Sequence, residues 1–87
     1  MIHKIYSVYD SKAQVYTLPF FMATEQTAIR TFSNWVNDRS HTFGLNPEDY
    51  TLFAAGEYDD VTGSINQDKI ASIGVGIQFI RNEEIIK

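Results

Sequence analysis

The chain has 87 residues, a formal net charge of −4 and no cysteine. The absence of cysteine excludes disulfides, thiolate metal sites and cysteine nucleophiles, and no segment has the pattern of a signal peptide or a membrane span. A chain of this length predicts a single domain over residues 1–87 that buries only about 60 to 65% of its unfolded surface, which favours a homodimer. We therefore expect a soluble, cytoplasmic protein that makes no membrane contact.

The N-terminal residues predict a β-hairpin. Residues 2–9 are rich in β-branched and aromatic side chains, and residues 10–13 (DSKA) begin with an Asp that suits a type I turn. Residues 14–21 (QVYTLPFF) form the second extended run. Pro19 cannot donate a ladder hydrogen bond, so we expect it to end the second strand or to place that strand at an edge.

An amphipathic helix is predicted over residues 25–38. Thr24 suits the N-cap, and Glu25 lies in the first turn, where the helix dipole favours a negative charge. The apolar residues recur at helical spacing; they are Ala28, Ile29, Phe32, Trp35 and Val36. A helix this short must dock its apolar stripe on the sheet, and Trp35 is the expected anchor.

The second half of the chain predicts a second hairpin and a last strand. A polar connection with a turn at residues 47–49 precedes a strand over residues 50–59, and Asp60 to Gly63 has the residues of a type I turn. A further strand begins near Ser64, and the alternation in residues 73–79 predicts the last one, with a short helix over 68–73 left open. The fold class is α+β: a small antiparallel sheet of two hairpins with one helix packed on one face.

Three carboxylates cluster where the second hairpin turns. Glu57 and Asp59 share a strand face, and Asp60 begins the predicted turn. Clustered carboxylates attract magnesium, but the turn chemistry favours a solvated hairpin end, and an acidic contact surface for a partner protein is the third interpretation.

No motif indicates an enzyme. The chain has no HxH or HExxH pattern, no glycine-rich phosphate loop with its downstream Lys, and no GxSxG context for a nucleophilic serine. We expect no catalytic residues, no bound metal and no cofactor.

The basic residues favour the first half of the chain as a nucleic-acid surface. Residues 1–43 hold four basic and three acidic residues, whereas residues 44–87 hold three basic and eight acidic ones. Cations beside aromatic rings on a sheet are typical of single-stranded nucleic-acid binding, because bases stack on the rings while cations meet phosphates. The candidate residues are Lys4, Tyr6, Tyr9, Lys12, Tyr16, Arg30 and Arg39. The alternative is that Tyr6 and Tyr9 pack in the core.

Several motifs together resemble one phage family. The stretches IYSVYDSKAQVY, PFFMATEQTAIRTFSNWVND, NPEDYTLFAAGEYDDVTGSI and ASIGVGIQF are similar to the small non-structural protein of gokushoviruses, the single-stranded DNA phages of the Microviridae. The likeness covers nearly the whole chain. It implies a non-enzymatic protein of the host cytoplasm, absent from the virion, that binds DNA or assists single-strand synthesis and packaging. It transfers no catalytic residue.

Two functions are therefore predicted. In the first, the protein assists viral DNA replication by binding single-stranded DNA, or the replication complex on it, through the first hairpin and the exposed side of the helix. In the second, it is a protein–protein adaptor whose Glu57, Asp59 and Asp60 dock on a basic surface of a replication, host or capsid-assembly protein.

Overall fold

The structure is a computed structural model, and it describes residues 1–67 and 70–81. The strands are β1 (Ile2–Asp10), β2 (Val15–Tyr16), β3 (Phe20–Met22), β4 (Tyr50–Asp59), β5 (Ile65–Asn66) and β6 (Ala71–Val75). The helices are α1 (Glu25–Val36) and the single-turn α2 (Thr42–Leu45), with 3-10 turns at Pro47–Asp49 and Gly76–Phe79. No helix in this part of the chain has the length and apolar character needed to cross a bilayer.

Two long antiparallel strands form the centre of the sheet. β1 pairs β4 from Ile2 opposite Asp59 to Asp10 opposite Tyr50. Shorter strands complete both edges: β2 and β3 pair β1, while β5 and β6 pair β4. The predicted second strand is thus divided in two, and Pro19, which has no N–H to donate, lies in the break. The predicted α+β fold, an antiparallel sheet with one main helix, is confirmed.

Helix α1 covers one face of this sheet and forms the core with it. Thr24 caps the helix by accepting a hydrogen bond from the Thr27 N–H, as the sequence predicts. The helix buries Ala28, Phe32 and Val36, and the sheet contributes buried residues to the same cluster: Tyr6, Val8, Tyr50 and Leu52.

The prediction that Trp35 anchors α1 to the sheet is wrong. Phe32 is fully buried and lies one turn from both Ala28 and Val36, at the middle of the stripe, whereas Trp35 is half-buried. The indole packs at the side of the core instead, 5.5 Å from the ring of Phe20 and 5.6 Å from His41. Phe32 is therefore the residue that anchors α1 to the sheet.

The C-terminal elements also differ from prediction. β6 ends at Val75, and the chain turns through Gly76–Phe79, where the Gln78 side chain closes the turn by accepting a hydrogen bond from the Val75 N–H at 2.8 Å. This turn brings Phe79 to the core, with its ring 5.7 Å from that of Phe32. The helix considered over 68–73 is excluded at residues 71–73, which are strand, while residues 68 and 69 lie outside the described part of the chain.

Candidate nucleic-acid interface

A β-bulge in β4 decides which side chains share a face of the sheet. Ile5 is opposite Gly56 and Tyr6 is opposite Ala54, so Ala55 has no partner in the β1 register. Gly56 takes a φ of 155°, and a Cβ there would lie only 2.6 Å from the Asn66 carbonyl oxygen. The extra residue reverses the alternation, so that Phe53 before the bulge and Tyr58 after it both lie on the face opposite α1.

The face of the sheet opposite α1, here called the open face, carries two groups of rings. The first, the Tyr16 cluster, contains Tyr9, Tyr16 and Phe53; the Tyr9 and Tyr16 rings are 4.8 Å apart, and the Tyr16 and Phe53 rings 5.4 Å. The second, the Tyr58 cluster, contains His3, Phe21 and Tyr58, with the Tyr58 ring 5.8 Å from Phe21 and 6.3 Å from His3. The two clusters lie at opposite ends of the central strands.

Each cluster borders a groove. The groove at the Tyr16 cluster, here called the apolar groove, has a volume of about 280 Å³; it is lined by Ser7, Tyr16, Thr17, Pro19, Phe53, Ala55 and Ile70. A second groove of about 250 Å³ is lined by the residues of the Tyr58 cluster. Tyr16 and Phe21 are 43% and 50% exposed, so both clusters present ring surface to solvent.

Of the three candidate tyrosines, the structure brings only two together. Tyr9 and Tyr16 are cross-strand partners on the open face. Tyr6 is 1% exposed and lies under α1 on the other side of the sheet. Burial, followed by the charge of Glu25, raises the pKa of the Tyr6 phenol. Its ring belongs to the core and cannot stack with a ligand, as the alternative interpretation of this residue predicted.

The candidate cations are dispersed over the molecule. Lys12 lies exposed in the turn that joins β1 to β2, next to the Tyr16 cluster. Lys4 shares the sheet face of Tyr6 and forms a salt bridge with Glu57, with Nζ 3.3 Å from the carboxylate. Arg30 is exposed on α1, and Arg39 is exposed in the segment between α1 and α2. Among these four, only Lys12 lies in the turn next to the paired Tyr9 and Tyr16.

The three candidate carboxylates each have a partner within the chain. Glu57 pairs with Lys4, and Asp59 accepts a hydrogen bond from the Val61 N–H at 2.9 Å. Asp60 accepts from the Met1 ammonium at 2.7 Å and contacts His3 Nε2 at 2.8 Å, and these two hydrogen bonds lower the pKa of its carboxyl group.

The turn of the second hairpin begins at Asp59, one residue before the predicted Asp60. The Asp59 side chain caps it, and the Asp59 carbonyl accepts from the Gly63 N–H at 2.7 Å, while Gly63 has the positive φ expected of it, 77°. Within residues 1–67 and 70–81, no three carboxylate or imidazole side chains converge as metal ligands would.

Sequence reasoning missed four rings of the open face. Phe53 could have been found, because on the predicted strand it alternates with Leu52 and Ala54 and so lies on the face opposite theirs. Tyr58 could not, because strict alternation would place it with Leu52 and Ala54 on the core side, and only the bulge at Ala55 moves it. Phe21 and His3 join Tyr58 through pairing with residues far away in sequence.

The fold and site define a small α+β protein whose sheet carries partly exposed aromatic rings on the face opposite α1. A family model described as phage ORF5 protein matches residues 3–79. The chain therefore belongs to the phage ORF5 protein family, which makes it a bacteriophage protein. No curated protein and no solved structure matches the chain.

Proposed function

We propose that this phage protein is a non-enzymatic, non-structural protein of the gokushovirus type that binds single-stranded DNA. In this role it assists replication, or single-strand synthesis and packaging, in the host cytoplasm. The observation that carries the proposal is the open face, where two clusters of rings lie on one side of a sheet whose other side is covered by α1.

Stacking supplies the main attraction in this proposal. Aromatic side chains on a sheet are the platforms on which RNA-recognition and OB-fold domains stack bases, and each stacked base contributes about 1 to 3 kcal/mol. The exposed rings of Tyr16 and Phe21 are suited to this contact, since each is held by an edge-to-face contact with a second ring, Phe53 and Tyr58 respectively.

Charge has a smaller role than the sequence suggested. Lys12 is the predicted cation that borders the Tyr16 cluster, while Lys4 is paired with Glu57 on the opposite face. The protein is also acidic overall, with a net charge of −4. Binding therefore depends more on the rings than on phosphate contacts, and it is weak unless several bases stack.

The test is binding of a fluorescent single-stranded oligonucleotide of about 16 nucleotides, followed by anisotropy at low salt. Tyr16→Ala and Phe21→Ala are each expected to weaken binding about tenfold, the effect of losing one stacked base. Leu18→Ala is the matched control, because Leu18 is 88% exposed and belongs to neither cluster. No binding by the wild type, or equal losses in all three variants, would overturn the proposal.

The adaptor function remains the alternative, but its three carboxylates are less available to a partner than the sequence alone suggests. Glu57, Asp59 and Asp60 already bond within the chain, so a basic partner would have to compete with Lys4, the turn backbone and the pair of His3 and the Met1 ammonium. Partners recovered from infected cells after nuclease digestion would favour the adaptor, and partners lost on digestion would favour DNA.

A further inference from the structure

The apolar groove offers a ligand almost no hydrogen-bonding groups. The Ser7 hydroxyl donates to the Thr17 carbonyl at 2.8 Å, and the Thr17 hydroxyl accepts from the Val8 N–H at 3.0 Å. The Ala55 carbonyl at the bulge accepts from the Gln67 side chain at 2.8 Å. Among the lining side chains, only the Tyr16 hydroxyl has no hydrogen bond within the described residues. A ligand group that enters this groove away from the Tyr16 hydroxyl must therefore be apolar.

We propose that the apolar groove receives the methyl-bearing edge of a thymine base, so that the protein prefers thymine-rich single-stranded DNA. This inference rests on the proposed function. Thymine is the DNA base that carries a methyl group, at C5, whereas cytosine has only a hydrogen at that position and the purines carry no methyl group. A base that entered the groove by polar edge groups instead would lose water there and find few partners, which is costly.

The rings and the charge around the groove suit the same ligand. Tyr16 and Phe53 form one wall, on which the base can stack, while Ile70 and Pro19 supply aliphatic surface for the methyl group. No charged side chain lines the groove within the described residues. Lys12 lies in the turn that leads into Tyr16, where it can meet the phosphate of a nucleotide stacked on that ring.

The expected preference is modest and can be calculated. Deoxyuridine differs from thymidine only by the missing methyl group, so a pair of oligonucleotides isolates this contact. Burial of one such group corresponds to about a fourfold change in affinity. Phosphate contacts are the same for both oligonucleotides and cancel in the ratio, and a groove variant separates the groove contact from the effect of the methyl group on stacking.

The experiment measures the dissociation constants of oligodeoxythymidine and oligodeoxyuridine of equal length for the wild type, Ile70→Asn and Ile65→Asn. The wild type should bind the thymidine oligomer about fourfold more tightly. Ile70→Asn should bring the ratio close to one, because it places a polar amide in the groove. Ile65→Asn should leave the ratio unchanged, because Ile65 is 68% exposed on β5 and does not line the groove.

The outcomes separate this inference from the function on which it rests. Equal affinity for both oligomers overturns the thymine preference while DNA binding stands, and binding of neither oligomer removes the proposed function and this inference together. A ratio that survives in Ile70→Asn shows that the methyl group lies elsewhere. If Ile70→Asn instead lowers the mass of the free protein in sedimentation and leaves the ratio unchanged, a second copy of the chain occupies the groove, which also overturns the inference.

Discussion

The ring of Tyr16 meets the ring of Phe53 edge to face at 5.4 Å, although their strands, β2 and β4, are not neighbours in the sheet. Tyr9 on the intervening strand β1 completes the contact, with its ring 4.8 Å from Tyr16 and 6.4 Å from Phe53. One aromatic surface therefore spans three strands. Because each ring limits the rotamers of the others, the surface is preorganised for stacking.

The salt dependence of DNA binding tests the distribution of cations. With Lys12 as the phosphate contact, the logarithm of the binding constant should fall with the logarithm of salt concentration at a slope of about −0.7. Lys12→Gln should flatten that slope, whereas Arg30→Gln and Arg39→Gln should not change it, because neither arginine lies on the open face. A slope several times steeper, or one that responds to Arg30→Gln, would show that the helical layer binds DNA instead. Affinity measured over a salt series checks this.

The side chain of Asn37 holds the C-terminal turn against α1. Its Nδ2 donates to the Ser33 carbonyl at 2.7 Å and to the Phe79 carbonyl at 2.9 Å, and its Oδ1 accepts from the Arg81 N–H at 2.8 Å. Asn37→Ala should lower the free energy of unfolding by about 1 to 3 kcal/mol, since it removes these hydrogen bonds and leaves the part-buried Phe79 carbonyl with the Ser33 hydroxyl, 3.5 Å away, in place of a 2.9 Å bond. Urea denaturation measures the loss.

The control for Asn37 is Asn34→Ala. Asn34 is exposed and accepts one long hydrogen bond, 3.4 Å, from the Arg81 guanidinium. This variant should lie within about 0.5 kcal/mol of the wild type. Equal losses in the two variants would mean that the three Asn37 hydrogen bonds contribute nothing specific.

Two glycines should respond differently to alanine. A Cβ at Gly44 would overlap the backbone carbonyl oxygen of Asp38, which cannot move without disturbing the end of α1. Gly44→Ala should therefore cost about 3 kcal/mol or prevent folding. Gly63 has a φ of 77° and no neighbouring atom within 4 Å of the added carbon, so Gly63→Ala should cost only about 1 kcal/mol of backbone strain. Thermal or urea unfolding ranks the two, and a larger loss at Gly63 would contradict the packing around α2.

Alkaline pH should destabilise the fold through two tyrosines. Burial raises the pKa of both Tyr6 and Tyr50 above the ordinary value of 10.0, because an unsolvated phenolate is unfavourable; nearby carboxylates add to the effect. The folded state then holds these protons more tightly than the unfolded state. Their contribution is fully present below pH 10.0 and is lost as the pH rises through the folded pKa.

The variant Tyr6→Phe, Tyr50→Phe tests this pH dependence. It has no phenol to ionise at either position, so its free energy of unfolding should fall less between about pH 9 and about pH 11 than that of the wild type. Urea denaturation at a series of pH values measures both proteins. Equally steep curves would show that other groups cause the alkaline loss.

Local patterns predicted much of this protein. The boundaries of β4, the Thr24 cap, the start of α1 and the turn at residues 47–49 follow from side-chain type and spacing, because each depends on neighbours within a few residues. Alternation along a strand also places Tyr6 and Tyr9 on opposite faces of β1, as the structure has them. It could not say which face α1 would cover.

By itself, then, the sequence determined the long strands β1 and β4, the helix α1 with its amphipathic stripe, and membership of a phage protein family. Only the tertiary structure decided that Tyr6 is core and Tyr16 surface, that Lys4 is neutralised by Glu57, and that a bulge at Ala55 moves Tyr58 to the open face. The physical reason is that these outcomes depend on contacts between residues some 50 positions apart. Spacing along one strand carries no information about the register of its partner.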